Sequence, residues 1–318
     1  MKISVLTPTY NRANNLKQLY KSLIQNIKYG IEIEWLIMND GSTDNTNEVV
    51  KKFIEEINIE ENKNLKIKYF EQENKGKMSA INTLVKYATG EYIIDCDSDD
   101  YFTSNAFETM KINIEKNKNE KNIYAFCFLK YNEKGENIGK DFTKNRTTLF
   151  DLHFKENDQG ERAFLFIAEI RKKYMHELEN GEKFITEARM YYKMDIENQI
   201  ICCNSPIMIC EYQEDGYTKN IKKQFLENPC GYFEFFKEIL EKNMSKVLWN
   251  KRIYAIKHYI LFSVLCKKKK NLIKNINDLS NKILTVILYI PGVIMTKMKF
   301  KKWKWKEWKK WGNNLIIC

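Results

Sequence analysis

The chain has 318 residues, 43% of them hydrophobic, and a formal net charge of +11. This length and composition exclude a disordered or fibrous protein and predict one large globular domain with an appendage, or two domains. The charge is confined to the end of the chain, because residues 266–318 carry +12 and the remainder carries −1. We therefore expect no nucleic-acid-binding domain, and a separate function for the basic end.

The cysteines and histidines give no sign of a metal or disulfide framework. The eight cysteines include no C-x-x-C pair, and Met1 and Lys2 lead directly into a short strand-like run. We expect a cytosolic protein in which all the cysteines are reduced thiols. The three histidines lack ligand spacing, and we expect them to be structural.

The first 100 residues alternate between strand and helix patterns. Strands are predicted at residues 3–6, 34–38, 65–70 and 92–94, and helices at residues 16–27, 49–57 and 79–88. This order predicts a mostly parallel, doubly wound α/β sheet with helices on both faces, whose ligands lie at the carboxyl ends of the strands. Farther on, we expect a polar loop at 140–161 that frames an acceptor site, and two strands at 199–203 and 207–212.

The last strand of this half runs directly into four carboxylates, those of Asp95, Asp97, Asp99 and Asp100. Crowded like charges cost free energy unless a cation or hydrogen-bond donors compensate them. Oxygen ligands of this kind suit Mg²⁺ or Mn²⁺, which bind through one or two carboxylates and the phosphates of a substrate. The stretch therefore predicts a metal-bridged nucleotide.

Two other interpretations of this stretch are an EF-hand loop and a solvated acidic turn. The EF-hand is excluded because Asp100 and Ala106 stand where a loop starting at Asp95 needs glycine and glutamate. The acidic turn, with aspartates that cap the next helix, stays open. Glycine loops of the G-x-G and Walker types are absent from the sequence, so we expect a metal to hold the phosphates.

Five motifs resemble those of the family 2 glycosyltransferases of the GT-A fold, and in particular bacterial capsule and lipopolysaccharide glycosyltransferases. They lie at residues 3–12, 39–44, 74–76, 90–93 and 97–100. The resemblance implies a GT-A catalytic domain that binds a nucleotide sugar, usually a UDP-sugar, together with Mn²⁺ or Mg²⁺.

The same resemblance implies roles for individual residues. Asp99 would be the metal ligand, Asp97 would contact metal or ribose, and Asp40 would accept from uracil N3–H. The remaining nucleotide-binding candidates are Pro8, Thr9, Tyr10, Lys77 and Ser98. Lys77 is equally compatible with a phosphate contact and with a solvent-facing side chain.

Inverting glycosyl transfer needs a carboxylate that takes a proton from the acceptor hydroxyl. The Glu-Asp pair that usually supplies this base in the family is missing from the chain. A segment at 181–187 resembles a subgroup of bacterial polysaccharide glycosyltransferases, which makes Glu187 the first candidate and Glu182 the second. For each, a carboxylate that merely complements a helix dipole is an equally good interpretation.

From residue 219 the pattern is helical to the end of the chain. We expect a catalytic domain at 1–218, with a nucleotide-binding half (1–100) and an acceptor half (101–218), and a helical region at 219–318. The apolar run 283–295, interrupted by Pro291-Gly292, is predicted to be too short to span a bilayer. Tryptophan and lysine interleave at 300–312, which favours an interfacial helix on anionic lipid over nucleic-acid binding or packing onto the body.

Together these features predict a metal-dependent inverting glycosyltransferase, peripheral on the inner face of the cytoplasmic membrane. It would move a hexose from a UDP-sugar to a lipid-linked or growing bacterial surface polysaccharide. The alternatives are a nucleotidyltransferase that makes a nucleotide sugar and a non-catalytic, membrane-bound nucleotide- or glycan-binding protein.

Overall fold

Alternating strands and helices in residues 1–221 build one mixed sheet, and helices make up a second unit at residues 222–318. The computed structural model describes residues 1–59, 64–158, 160–179, 181–211, 213, 220–242, 244, 246–268 and 272–311, with side chains as far as residue 298. The predicted domain boundary after residue 218 lies outside the described residues.

The described part of the first unit contains a nine-stranded sheet in the order β3-β2-β1-β4-β8-β6-β9-β5, with β7 paired to β9. Strands β1 to β4 are mutually parallel, whereas β8 runs antiparallel to both of its neighbours. The mostly parallel α/β half is thus confirmed. The strands are β1 Lys2–Thr9, β2 Glu32–Asn39, β3 Leu65–Glu71, β4 Tyr92–Asp95, β5 Asp100–Phe102, β6 Ile123–Asn132, β7 Arg146–Thr147, β8 Arg162–Ile167 and β9 Gln199–Cys210.

Helices cover the sheet and close its core. They are α1 Ala13–Asn26, α2 Thr46–Ile59, α3 Lys77–Tyr87, α4 Ala106–Lys116, α5 Leu149–Phe154, α6 Ala168–Arg171 and α7 Ala188–Met194. Tyr20 of α1 and Phe53 of α2 stack with their ring centroids 4.2 Å apart, beside the fully buried Trp35 of β2. The helical periodicity of the sequence arises from this apolar layer.

Two predictions for the second half of this unit are wrong. The strands expected at 199–203 and 207–212 form the single strand β9. The polar residues between the two predicted strands lie in a bulge opposite Phe128 and Leu129, so they do not end the strand. The polar loop expected at 140–161 contains β7 and α5, and Thr148 caps α5 by accepting a hydrogen bond from the Asp151 amide at 3.1 Å.

Helix α8, Ile221–Glu227, begins at the last residue of the first unit, and the second unit continues with α9 Pro229–Glu241, α10 Trp249–Leu265 and α11 Leu279–Trp311. A disulfide joins Cys230 in α9 to Cys266 at the end of α10, so the expectation of eight reduced thiols is wrong for this pair. The packing of the two helices brings together cysteines that lie far apart in the sequence. Five other described cysteines are free thiols.

Helix α11 is continuous, so the interruption predicted at Pro291-Gly292 is also wrong. A proline inside a helix removes one amide donor and need not end the helix when packing supports both sides. By length and composition alone, residues Leu279–Met298 could cross a membrane, with a mean hydropathy of 1.5. The prediction that the apolar run is too short is therefore not supported.

A buried carboxylate holds the parallel strands together. Glu34 of β2 is fully buried and accepts hydrogen bonds from Lys68 Nζ at 2.6 Å, Ser4 Oγ at 2.7 Å and the Thr89 amide at 2.8 Å. Burial acts to raise the pKa of this carboxyl, but hydrogen bonds from Lys68, Ser4 and Thr89 outweigh it and lower the pKa to about 2.

We expect Glu34→Gln to lower the free energy of unfolding by about 2 to 3 kcal/mol at neutral pH, since the ionised group is stabilised in the folded state. The pKa of Glu34 is lowered on folding, so this contribution is present above the ordinary glutamate pKa of about 4.5 and is lost as the pH falls towards about 2. Urea unfolding across this pH range measures the difference. Glu32→Gln, at a more exposed ion pair, is the control and should change stability little.

Candidate active site at the carboxyl edge of the sheet

Parallel pairing brings the predicted site residues to one edge of the sheet. Thr9 at the end of β1 lies opposite Asn39 of β2, and Asn39 lies opposite Glu71 of β3. Strand β4 pairs with β1 on its other side. The loops that follow these four strands therefore emerge together, and the Asp40 amide donates to the Thr9 carbonyl at 2.8 Å.

Asp40 organises the loop after β3. Its carboxylate is buried, and Oδ1 accepts from Gln72 Nε2 at 2.7 Å and from the Lys75 amide at 2.8 Å. Oδ2 accepts from the Gly76 amide at 2.8 Å. A carboxylate has about four acceptor positions, so about one remains for a ligand such as a base N–H.

The predicted base-binding residues line the neighbouring loop. Pro8 and Thr9 are buried at the end of β1, whereas Tyr10 is 47% exposed beside them. Asn11 adopts a left-handed conformation, with φ of 52°, and its Oδ1 accepts from the Thr43 amide at 2.8 Å. The Asn11 amide donates to Ser42 Oγ at 2.9 Å, so this loop is tied to the loop that carries Asp40.

Gly76 allows the loop after β3 to approach the segment before α7. Its φ is +90°, and a Cβ added there would lie 2.3 Å from the Lys183 carbonyl oxygen. The Lys183 ammonium in turn donates to the Asn74 carbonyl at 2.8 Å and to Asn74 Oδ1 at 2.9 Å. The glycine is therefore required by both conformation and space.

The centre of the site is an ammonium between two carboxylates. Lys77 Nζ, at the start of α3, lies 2.7 Å from Asp97 Oδ2 and 2.9 Å from Glu187 Oε1. Burial acts to lower the pKa of Lys77, but the charges of Asp97 and Glu187 outweigh it and raise the pKa well above its ordinary value. Residues far apart in the sequence thus meet at one ammonium.

The two candidate bases differ in their surroundings. Glu187 stands just before α7, but among the described residues its side chain makes no capping hydrogen bond and instead contacts Lys77. Burial acts to raise the pKa of Glu187, but the ammonium of Lys77 lowers it. The Glu182 amide donates to the Glu179 carbonyl at 2.8 Å, in the segment before Glu187.

The four carboxylates after β4 have different partners. Asp97 pairs with Lys77, and Asp100 Oδ2 lies 2.8 Å from Lys130 Nζ of β6. Asp95 lies 3.7 Å from the fully buried Arg171 of α6, and burial raises its pKa to about 6.

Within the part of the chain that the structure describes, Asp99 has no ion-pair partner. Burial, together with the charges of Asp97 and Asp100, raises its pKa to about 6. Ser98, the residue between Asp97 and Asp99, is buried. Among the described residues, Asp99 is thus the carboxylate of the run that is available to bind a cation other than a basic side chain.

Neither Lys130 nor Arg171 is recognisable as a site residue from the sequence. The carboxylate run signals that counter-charges are needed, but the chain has 53 lysines and arginines and no spacing singles out these two. Antiparallel pairing of β6 and β8, and the short helix α6 after β8, place them beside the strand end.

The carboxylates fit a divalent cation that is shared with a ligand. Among the described residues, no three histidine, cysteine, aspartate or glutamate side chains form a metal cluster. Mg²⁺ and Mn²⁺ are usually bound by one or two carboxylates and completed by substrate phosphates and water. Burial, and after it the charges of Asp97 and Asp100, raises the pKa of Asp99, and a bound cation would compensate the charges of these carboxylates.

Comparison with known proteins identifies the family. Residues 4–178, more than half of the chain, match the family described as Glycosyl transferase family 2. The chain belongs to this family. The family resemblance of the motifs is thereby confirmed, and the matched region contains all of the site except the segment that carries Glu182 and Glu187.

Several bacterial relatives of the chain are also glycosyltransferases. A glycosyltransferase of Mycoplasma genitalium is 36% identical over 41% of this chain and 44% of its own length. GlyG of Streptococcus pneumoniae is 26% identical over 65% of this chain and 69% of its own length. The chain spans less than half the length of several curated relatives that it matches.

Solved structures share the fold. Residues 1–349 of S. aureus TarS, in complex with UDP-GlcNAc, superpose with a TM-score of 0.56 at 17% identity, covering 95% of this chain and 92% of that one. The mannosyltransferase PcManGT of Pyrobaculum calidifontis, in complex with GDP-Man and Mn²⁺, gives 0.54 at 15% identity, covering 93% and 83%. The GT-A fold class with a helical C-terminal region is confirmed.

We expect Gly76→Ala to lower the free energy of unfolding by about 3 kcal/mol and to weaken ligand binding at this edge, because the new Cβ would meet the Lys183 carbonyl. Gly135→Ala is the matched control, since Gly135 has a φ of +77° but nothing within 4 Å of its added Cβ. It should cost only about 1 kcal/mol. Equal losses in chemical denaturation would contradict the steric account.

Proposed function

We propose that the chain is an inverting, metal-dependent glycosyltransferase that moves a hexose from a UDP-sugar to a bacterial glycan. The observation that carries this proposal is the contact of Lys77 with both Asp97 and Glu187. It joins a carboxylate of the predicted donor-binding motif to the proposed base. Glycosyl transfer needs the residues that bind the donor and the base that deprotonates the acceptor to be held close together, and here both lie at one edge of the sheet.

In the proposed reaction, Glu187 accepts the proton of the acceptor hydroxyl as that hydroxyl attacks the anomeric carbon. The positive charge of Lys77 lowers the pKa of Glu187, so the carboxylate is ionised and able to accept a proton at neutral pH. Attack from the face opposite the leaving diphosphate inverts the anomeric configuration. Glu182 is the second candidate base, and Glu187 ranks first because of its contact with Lys77.

Asp97 and Asp99 are the residues proposed to hold Mn²⁺ or Mg²⁺. Such a cation supplies positive charge against the departing diphosphate. Asp97 is also paired with Lys77, whereas the pKa of Asp99 is raised by burial and by the charges of Asp97 and Asp100. PcManGT, a relative in fold, is named as a complex with Mn²⁺, which supports divalent metal use.

The nucleotide proposed is UDP. The remaining acceptor position of Asp40 suits the N3–H of uracil, and Pro8, Thr9 and Tyr10 lie on the adjacent loop. Ser98 and Lys77 complete the proposed set of donor-binding residues. TarS is named as a complex with UDP-GlcNAc and PcManGT as a complex with GDP-Man, so a nucleotide-sugar donor has support from both and UDP from the first.

The acceptor proposed is a lipid-linked or growing surface polysaccharide at the inner face of the cytoplasmic membrane. The support is the basic C-terminal segment, whose lysines would bind an anionic lipid surface and hold the site near a lipid-linked substrate. The sequence offers no comparable reason to propose a nucleic-acid partner.

Two alternative functions have less support. Membership of glycosyl transferase family 2 favours glycosyl transfer over nucleotidyl transfer. A non-catalytic nucleotide- or glycan-binding protein would need none of the coupling between Lys77 and Glu187. Turnover of a bound UDP-sugar separates this alternative from an enzyme.

The first test of the proposal is calorimetry of UDP binding with and without Mn²⁺. We expect binding to be stronger with the metal and Asp99→Asn to weaken it at least about tenfold, because the cation loses a carboxylate ligand. The metal-dependent part should grow as the pH rises from about 5 to about 7, since protons compete with the cation at Asp99, whose pKa is about 6.

Glu91→Gln is the control for this experiment, because Glu91 is an exposed carboxylate at the opposite end of β4. UDP binding that ignores both Mn²⁺ and Asp99→Asn would contradict the proposed metal site. UDP binding by the wild type without hydrolysis or transfer of any UDP-sugar would favour the non-catalytic alternative.

We expect Lys77→Met to move the acidic limb of the pH dependence of kcat/KM to higher pH. The lysine lowers the pKa of Glu187, so its removal raises that pKa and leaves less ionised base at a given acidic pH. Lys75→Met, at an exposed lysine of the same loop, should leave the limb unchanged. An unshifted limb in Lys77→Met would mean that Glu187 is not the titrating base.

A further inference from the structure

Helix α11 exposes its large apolar residues. Only three of the residues Leu279–Met298 are buried. The residues that we call the apolar stripe recur at helical spacing on one side, and each is more than half exposed. They are Ile283 (53%), Ile287 (62%), Ile290 (69%), Ile294 (52%) and Met298 (60%).

The opposite side of α11 is polar or small, and it is buried. Asn281, Thr285 and Thr296 are 0%, 1% and 4% exposed. The two threonine hydroxyls donate to carbonyls one turn earlier in α11, each at 2.7 Å, so burial leaves neither hydroxyl unsatisfied. A Cβ added to Gly292 would lie 3.0 Å from Ile260 Cγ2 of α10, which indicates close helix packing.

This polarity is the reverse of that of a surface helix in a water-soluble protein, which turns its apolar side inward. Small and hydroxyl-bearing residues between helices, with large aliphatic residues outside, are typical of helices in contact with lipid. The sequence composition alone does not reveal this arrangement, because it depends on which side packs against α10.

The packing with α10 distinguishes a helix that lies on a membrane from one that spans it. Residues Leu279–Met298 would be about 30 Å long, which equals the thickness of the hydrocarbon core. However, α10 packs along this length: Arg252 Nη2 donates to Asn281 Oδ1 at 2.8 Å, and Ile260 meets Gly292. Lys257 of α10 is exposed and lies between Arg252 and Ile260, so a spanning α11 would carry its charge into the hydrocarbon, at a cost of about 2.5 to 3.5 kcal/mol.

The chain after the stripe indicates what covers it. Residues 297–310 contain eight lysines and one glutamate, and the helix continues to Trp311. Trp303, Trp305 and Trp308 alternate with these lysines in the sequence. An anionic bilayer offers hydrocarbon to the stripe and headgroups to the lysines, whereas a second copy of α11 packed in parallel would bring the lysines together.

We propose that α11 lies in the plane of an anionic bilayer, with the apolar stripe in the acyl region and α10 on its solvent side. This inference rests on the membrane association in the proposed function, and it states that a helix is inserted in the bilayer in addition to electrostatic binding by the basic segment. It does not depend on which nucleotide sugar the chain binds.

The test uses flotation of the full chain with phosphatidylglycerol vesicles at low and high salt. We expect wild type to bind at both, because salt screens the lysines but not the buried apolar surface. The triple variant Ile287→Ser, Ile290→Ser, Ile294→Ser should bind at least about tenfold more weakly at high salt. The matched triple Ile59→Ser, Ile112→Ser, Ile196→Ser changes three exposed isoleucines of the first unit and should bind as wild type. Equal salt-resistant binding by both variants would overturn the proposal.

Two further outcomes would also overturn it. In membrane vesicles made cytoplasmic side out from cells that produce the chain, an impermeant amine reagent should label the lysines of residues 297–310 equally before and after detergent, whereas a spanning helix protects them until detergent is added. In lipid-free solution, a dimer that the stripe variant converts to a monomer would assign the stripe to a second copy.

UDP binding measured on the same preparations keeps this inference separate from the proposed reaction. The stripe variant should bind UDP as wild type does. If no preparation binds UDP but vesicle binding follows the expected pattern, the proposed enzymatic function would be wrong. The proposed contact of α11 with the bilayer would then still stand.

Discussion

The candidate site depends on one partly buried ammonium. Lys77 begins α3, Asp97 follows β4 and Glu187 precedes α7, and the lysine is the point at which these three segments meet. Without it, two carboxylates would face each other in a partly buried place, at a cost in free energy. The single positive charge therefore joins the three segments and lowers the pKa of Glu187.

Two other carboxylates of the run lie beside basic side chains from other elements, so negative charge is distributed unevenly across the site. Lys130 of β6 neutralises Asp100, and Arg171 of α6 lies beside Asp95 on the inner side. Asp99 has no ion-pair partner among the described residues. Negative charge is thus concentrated where the proposed cation and diphosphate would bind, and it is cancelled where the chain packs into the fold.

The two units bury opposite kinds of side chain. In the first, Trp35, Tyr20 and Phe53 form an apolar layer under the sheet, and the carboxylate of Glu34 is buried only with a full set of donors. In the second, α11 buries Thr285 and Thr296 and exposes isoleucines. A chain folded in water alone gains nothing from that second arrangement, since apolar surface removed from water is the main stabilising contribution. The bilayer contact proposed for α11 would account for it.

Local patterns in the sequence determined the strand and helix order of the first half, the family, and the edge of the sheet at which Asp40, Asp97 and Asp99 lie, because parallel strands place their following loops together. Tertiary structure decided what depends on distant segments: the choice of Lys130 and Arg171 as counter-charges, the contact of Glu187 with Lys77, and the disulfide between Cys230 and Cys266. It also decided which side of α11 is exposed. Spacing along a helix shows that two faces differ, but only the position of α10 determines which face is covered.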